Sequence, residues 1–465
     1  MTTGRRSYDI SLAGECMVMR PFSAHDDPGF TAVLDLLRGS DLTYAHLETN
    51  LGEYDEIGWP AKAGEIGSYL LSDPRIAADL RWAGVDVMSL ANNHSMDFGA
   101  PGMLSTIRHI RDAGIAHAGT GRDLEEAREP AYLETRKGRV ALISVSSGNK
   151  PHENAGLPKG TIRGRPGVNP LRVRTRFLVD QPAAKALQDI AGRLGILQMN
   201  GIRKEGSTKR GLRDGEFTLA LPEAQSTVAS TVFAESDAFA IETTCDERDL
   251  AGNLRVVEEA VAMADLVMVA HHFNVAEGSR GDGPPAFARQ FAHACIDAGA
   301  DVYIAHGWHK TLGIEIYQGR PAFYGMGNFF AQSEFIRRVA YDSYEAWGHD
   351  VDRLGTLTPA AHPLHPGLDA GGRTWWSSAV VRLTLTDGRV EALRLHPVGL
   401  GREVTPEAPI VRPTGRGPHT LTEGRPVTAS PEDGLRILQR IKDLSAGYGT
   451  DIEIDEPAGV GVLKL

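Results

Sequence analysis

The stretch Ala300-Asp301-Val302-Tyr303-Ile304-Ala305-His306-Gly307-Trp308-His309 decides the reading of this chain. Ala300 to Ala305 reads as a short buried strand, and two imidazoles follow at its carboxyl end. Open α/β sheets keep their ligand sites at that end of the strand. Similar polar tips recur elsewhere. The run Leu266 to Ala270 meets His271-His272, Val85 to Leu90 meets Asn92-Asn93-His94, and Asp41 to Ala45 meets His46-Leu47-Glu48. Tyr8 to Gly14 alternates like a first strand and runs into Glu15. Polar groups at so many strand ends point to one site on a sheet edge.

Between these strands lie helix patterns at Thr31 to Leu37, Asp73 to Ala83 and Gly99 to Ala113. Ser72-Asp73-Pro74 supplies capping residues and an early proline for the second, and Gly114 closes the third. After the strand Val140 to Val145 the alternation weakens. Residues 156–170 are rich in Gly, Pro and Arg, Ala183 to Leu194 reads as helix, and Arg203, Lys204, Lys209 and Arg210 form a basic loop. We expect an insertion at about 148–248, its basic loop either a solvated surface loop or a lid that receives an anionic substrate. Helix patterns return at Leu254 to Ala264 and Pro285 to Ala298. Hairpin patterns follow at Ile314 to Tyr324 and Val380 to Leu395, the second with an Asp387-Gly388 turn. Strands alternating with helices predict a layered α/β fold. The expected division is a core over 1–335 carrying the insertion, then a β-rich C-terminal extension or cap over 336–465. Trp375-Trp376 is expected in core packing, and Trp308 as an apolar wall between the two histidines.

Composition narrows the class. The 465 residues are 42% hydrophobic and 23% charged, ordinary for a soluble globular protein. A net charge of -11 argues against a nucleic-acid partner. The three cysteines make no CxxC pair, so neither a disulfide framework nor a cysteine zinc knuckle is expected. No run reaches the ~18 apolar residues of a membrane span, and no apolar stretch of signal length follows Arg5-Arg6. The expectation is a cytoplasmic protein without membrane insertion.

Imidazole, carboxylate and amide oxygens are ligands of the Zn, Mn and Fe class of divalent ions. Such ions clamp phosphate and supply hydroxide. Glu15, His46, Asn93, His271, His306 and His309 are the candidate ligands. Glu48, His94, Asp97 and His272 complete the candidate catalytic set, and His271-His272 leaves open which histidine enters the site.

Several segments resemble the bacterial CapA/PgsA family, named for poly-γ-glutamate capsule biosynthesis, whose fold is that of the calcineurin-like metallophosphatases. They are Gly14-Glu15, Ala45-His46-Leu47-Glu48-Thr49, Ser89-Leu90-Ala91-Asn92-Asn93-His94-Ser95-Met96-Asp97-Phe98-Gly99, His117-Ala118-Gly119-Thr120-Gly121, Ala305-His306-Gly307-Trp308-His309 and Phe323-Tyr324-Gly325-Met326-Gly327-Asn328-Phe329. They keep family order. The resemblance implies a metallophosphatase-like β-sandwich flanked by helices. Where the family commonly shows Gly-Asp and Asn-Leu-Glu, this chain has Gly14-Glu15 and His46-Leu47-Glu48. It also has Ala305-His306 for Gly-His, and His271-His272-Phe273-Asn274 for His-Trp-Gly.

The resemblance implies three functions. One is metal-assisted phosphoester hydrolysis, with His94, held by Asp97, as acid or oxyanion stabiliser. The second is peptide epimerisation, linked to proteins similar to this family. It needs a base, an acid and enolate stabilisation, and His46 and Glu15 are attractive proton carriers. Cys16 is a weaker one, because neighbours on a strand face opposite ways. The third is a non-catalytic scaffold in capsule or peptide synthesis. The leading expectation is the epimerase, acting on a peptide or anionic small molecule, with or without a divalent metal (Mn, Zn or Fe).

Overall fold

In strand Ser7–Met17, Tyr8, Ile10 and Leu12 enter one apolar cluster, and Ala13 and Cys16 enter another. A strand buried on both faces belongs in the middle of a sheet. Leu42–Leu47 pairs with it in parallel, followed by Val87–Ser89 and Ala116–Ala118. On the other side Ser377–Thr386 runs antiparallel to it, followed by Arg389–Gly399, Val460–Leu463 and Ile452–Asp455. Strand Asn328–Ala331 pairs with its carboxyl end. A second sheet has the order Ile314–Tyr317, Arg320–Phe323, Val302–His306, Leu266–His272, Gly138–Ser146, Ala131–Thr135.

The two sheets face each other. Tyr8, Leu12 and Tyr44 of the first share one core with Leu142, Met268, Ala270 and Ile304 of the second. Each such side chain contributes about 1.5–3 kcal/mol of burial free energy. The outer face of the larger sheet is covered by helix Pro28–Arg38. Asp27 caps it by accepting from Phe30 N at 3.1 Å, and Phe30, Val33, Leu34 and Leu37 recur on its buried face. This computed structural model describes residues 7–61, 69–195, 212–219, 231–275, 282–332, 336, 340–346, 374–401 and 424–464. Arg203, Lys204, Lys209 and Arg210 lie outside them.

Three expectations need correction. The helix expected from Asp73 spans Ile76–Trp82. The Asp73 carboxylate instead accepts from the backbone and guanidinium of Arg75, making a turn before the helix. The insertion is narrower than 148–248. Arg172–Glu247 with Pro285–Phe291 forms a separate compact unit, while the residues up to Leu171 belong to the larger one. The Gly- and Pro-rich run looks like a linker in composition, yet Gly167–Val168 pairs with Thr120–Gly121. Within the small unit four strands run in the order Glu216–Thr218, Val232–Glu235, Val173–Val179, Ala240–Cys245, and Arg174 and Arg176 pair with the buried Glu216.

The third correction concerns the expected extension beyond residue 335. Its hairpin lies inside the larger sheet beside the first strand, and Leu383, Leu385, Leu393 and Leu395 complete the shared core. Sequence distance made this hairpin look peripheral, but pairing with Ser7–Met17 turns its alternate leucines into the core and buries them.

Gly14 makes a close approach possible. A Cβ there would lie 2.1 Å from Gly327 O, and Glu15 N donates to that same oxygen at 2.9 Å. The contact seats strand Asn328–Ala331 against Glu15. Gly14→Ala is therefore expected to destabilise the protein by roughly 3 kcal/mol, read as a lower urea midpoint. A midpoint equal to wild type would show that this contact yields easily.

Candidate active site

Register alone gathers most of the polar groups. Across the larger sheet Asn328 is opposite Glu15, Glu15 opposite His46, and His46 opposite Ser89. In the facing sheet His272 is opposite His306. Both rows lie at the carboxyl ends of parallel strands, and the carboxyl-end rule predicts a site there. The turn after His306 then folds back. Gly307 has φ +106, and a Cβ there would lie 2.4 Å from Phe273 O. His309 follows with φ 56, a left-handed conformation uncommon outside glycine. That turn aims His309 at Glu15.

Two imidazoles reach the mouth of the site, each backed by a buried carboxylate. His309 Nδ1 lies 3.2 Å from Glu15 Oε2, with side chains 17% and 1% exposed. His94 Nδ1 lies 2.7 Å from Asp97 Oδ2, with side chains 16% and 0% exposed. Asn328 Oδ1 is a second partner of His309 Nδ1 at 3.0 Å. Leu70 N donates to Asp97 Oδ2 at 2.8 Å. In both dyads the Nδ1 side is engaged by the protein.

Beneath them lies a buried row of rings. His46 Nδ1 meets Ser89 Oγ at 2.6 Å, and His46 Nε2 meets His272 Nδ1 at 3.1 Å. His272 Nε2 meets Asn93 Oδ1 at 2.8 Å. Tyr44 OH bridges Ser89 Oγ at 2.6 Å and His306 Nε2 at 2.9 Å. His46 stacks on His306 and on His272 with ring centroids 4.6 and 5.0 Å apart.

Burial and charge divide the titrating groups. Burial would raise Glu15, but the charge and hydrogen bond of His309, a hydrogen bond with Glu48 and the charge of His272 hold it well below the usual carboxylate range. Burial, the Glu15 charge, the hydrogen bond with Glu15 and the Asp97 charge push Glu48 well above that range. Burial would lower His309, but Glu15 and Asn328 raise it. Burial, then neighbouring imidazoles, hold His46 and His272 well below the usual value. Burial takes His306 to about 3. These directions favour neutral imidazoles along the buried row, an ionised Glu15 beside a protonated Glu48, and a charged His309 at the mouth.

Of the expected ligands, Glu15 and His309 come together with Glu48. One ligand atom from each lies within 4.8 Å of the other two. Neither Glu48 oxygen has a hydrogen-bond donor among the described residues, nor does His306 Nδ1. A proton shared with Glu15, or a cation, would each satisfy Glu48. Two carboxylates and an imidazole fit a divalent ion of the Mn, Fe or Zn class. His46 and Asn93 are engaged with Ser89 and His272 instead. His271 points away from the site, bonded to Ser147 Oγ at 2.8 Å and Tyr303 OH at 2.7 Å. Strand alternation makes this so, and it assigns His272 to the site. Cys16 faces the opposite apolar cluster, and burial and the Glu15 and Glu48 charges raise its thiol.

Sequence reasoning missed four residues: Tyr44, Ser89, Asn328 and Trp375. Tyr44 and Ser89 are polar side chains in apolar strands, with Tyr44 two residues before His46; that spacing was the available signal. Trp375, expected in core packing, lies with its ring centroid 4.4 Å from that of His309, whereas Trp376 is buried. The Trp308 ring lies under the Lys310 ammonium at 5.6 Å.

Residues 9–333 match the family described as bacterial capsule synthesis protein PGA_cap. The chain belongs to this CapA/PgsA family. Its layered α/β fold is accordingly metallophosphatase-like. The chain is 30% identical to the uncharacterized protein y4sH of Sinorhizobium fredii, covering 98% of this chain and 93% of that one. It is 27% identical to a probable polyglutamine synthesis accessory protein of Mycobacterium tuberculosis over 54% of this chain and 46% of that one. It is 22% identical to the capsule biosynthesis protein CapA of Bacillus anthracis over 64% and 56% of the two chains. Among the described residues no helix of this CapA/PgsA-family protein is long and apolar enough to cross a membrane.

Proposed function

We propose that this protein is a peptide epimerase, moving a proton off and onto one Cα to invert it. The observation that supports this is the pair of dyads, His309–Glu15 and His94–Asp97. Inversion needs one group to take a proton from one face of Cα and another to return a proton to the opposite face. Asp97 holds His94 Nδ1, and Asn328 together with the Glu15 charge holds His309 Nδ1, so Nε2 of each ring is the nitrogen left for substrate. His309, charged against Glu15, serves as the acid, and His94 as the base. His46, expected to carry the proton itself, is 1% exposed and bonded at both nitrogens, so it acts through its neighbours. The substrate class is a peptide or a γ-linked glutamate chain, in keeping with relatives named for polyglutamine synthesis and capsule biosynthesis.

The test uses solvent deuterium. Incubation of the purified protein with linear peptides and glutamate oligomers in deuterated water is expected to place one deuterium at the Cα that inverts. No label in any of these substrates would overturn the reading.

A second reading is divalent-metal-dependent phosphoester hydrolysis, favoured by the clustering of Glu15, Glu48 and His309. A cation held there would supply Lewis-acid stabilisation of a developing negative charge. On that reading a chelator is expected to abolish phosphate release from a model phosphoester, and Mn or Zn to restore it. Undiminished release after metal stripping would remove it.

A further inference from the structure

With the Asn93 carbonyl oxygen facing His272, the row of buried rings has one consistent arrangement of hydrogens. Asn93 Oδ1 can only accept, so His272 Nε2 carries the hydrogen of their 2.8 Å contact. A neutral imidazole has one N–H and one lone pair, so His272 Nδ1 accepts from His46 Nε2 at 3.1 Å. His46 Nδ1 is then a lone pair and accepts from the Ser89 hydroxyl at 2.6 Å. Ser89 has only one hydrogen, so at 2.6 Å Tyr44 must be the donor to Ser89 Oγ. The Tyr44 hydrogen is then committed as well, and at 2.9 Å His306 Nε2 must donate to the Tyr44 oxygen. His306 Nδ1 therefore carries no hydrogen. That nitrogen is buried and has no hydrogen-bond partner among the described residues.

We infer that Tyr44 and Ser89 are positioning residues that lock His46, His272 and His306 in the Nε2–H tautomer and hold His306 Nδ1 as a bare nitrogen with its lone pair free. Neither hydroxyl touches substrate in this scheme. Tyr44 is 0% and Ser89 0% exposed, and both lie inside strands. They act by deciding which nitrogen of each ring has the lone pair. An imidazole in the wrong tautomer presents a hydrogen where chemistry needs a lone pair. The lock holds whether His306 Nδ1 serves as a proton acceptor or meets a cation, because both uses need the same lone pair. The inference rests on these residues forming the active site, and not on which reaction that site performs.

The experiment is nitrogen-15 NMR of histidine-labelled full-length protein, using long-range proton–nitrogen correlation to read each tautomer. His306 is expected to show a bare Nδ1 and a protonated Nε2. In Ser89→Ala the Tyr44 hydrogen loses its acceptor and turns to His306 Nε2, so His306 is expected to switch to the Nδ1–H form. Ser89→Thr keeps the hydroxyl and is expected to restore the wild-type pattern. Tyr44→Phe removes the acceptor for His306 Nε2–H, so His306 is expected to lose its single tautomer. In the deuterium assay Ser89→Ala is expected to lower kcat by about tenfold or more with KM held.

A protonated His306 Nδ1 in the wild type, or an unchanged His306 in both Ser89→Ala and Tyr44→Phe, would overturn the lock. A folded protein showing the tautomers but exchanging no Cα proton would leave the lock standing and remove the epimerase reading.

Discussion

His94→Gln is expected to abolish both deuterium entry and inversion when the L-peptide is the substrate, by a factor of about 10² to 10⁴. His309→Gln is expected to behave differently. The base His94 remains, so the Cα proton still leaves, and solvent deuterium returns to the face from which it left. This variant should label the L-peptide at Cα without inverting it. With the D-peptide the two phenotypes should exchange, because acid and base swap roles in the reverse direction. This asymmetry follows from the proposed roles of the two dyads, His94–Asp97 as base on one face of Cα and His309–Glu15 as acid on the other. A single-base mechanism predicts instead that one variant loses label and inversion with both epimers while the other keeps them, and mass spectrometry combined with chiral analysis of the labelled peptide separates the two mechanisms. Both imidazoles are partly exposed at the mouth, so loss of either should leave the urea midpoint close to wild type. Equal losses of label and inversion in both variants would remove the two-base assignment.

A large acid-induced loss of stability is the second expected result. Burial keeps His46 and His272 well below the usual value, and takes His271 and His306 to about 3. The unfolded chain binds a proton at each of these four as pH falls through 6.5, and the folded protein does not. Glu48 acts in the opposite direction. Its folded-state value is raised well above 4.5, so in this window the folded protein holds a proton that the unfolded chain lacks. Glu15, lowered, is ionised in both states above 4.5, and His309, raised, is protonated in both states below 6.5. Within this cluster, four imidazoles less one carboxyl leave a net of three protons taken up on unfolding. Stability should then fall by about 4 kcal/mol per pH unit between roughly pH 6 and 4.5. Over that window the loss sums to about 6 kcal/mol, enough to unfold a domain at the low end of the usual range of about 5–15 kcal/mol. Urea titrations at pH 7.0, 6.0 and 5.5 read this directly. His271→Gln, outside the site, should reduce the slope by about a third. Equal stability at pH 7.0 and 5.5 would show that the ring cluster is hydrated or charged in the folded protein.

The sequence by itself determined the strands that carry Glu15, His46, Ser89, His272 and His306, most of the helices and the end of the sheet where the polar groups gather. These are local or periodic properties. Alternation along Tyr8 to Leu12, an apolar face repeating through Phe30, Val33, Leu34 and Leu37, and imidazoles following buried runs can all be read from neighbours in the chain. The resemblance carried by Asn92-Asn93-His94-Ser95-Met96-Asp97 and its companions identified the family from the same information. Pairing between distant segments was decided only by the tertiary structure. Nothing near residue 380 indicates that Val381 and Leu383 will lie beside Leu12 and Ile10, because that register is set by the apolar area buried when the sheet closes.

The same holds for the site. The candidate set contained Glu15, Glu48, His94, Asp97, His272, His306 and His309, but their division into dyads and a buried row depends on distances between strands. Whether His46 is a ligand, a base or a link could not be read from its position in the chain. It became a link because the register sets Ser89 beside it and His272 faces it from the other sheet, which engages both its nitrogens. His309 became accessible because Gly307 lets the chain turn back where any side chain would strike Phe273. Chemistry at this site is set by which nitrogen and which oxygen are left without a partner, and only the packed sandwich determines that.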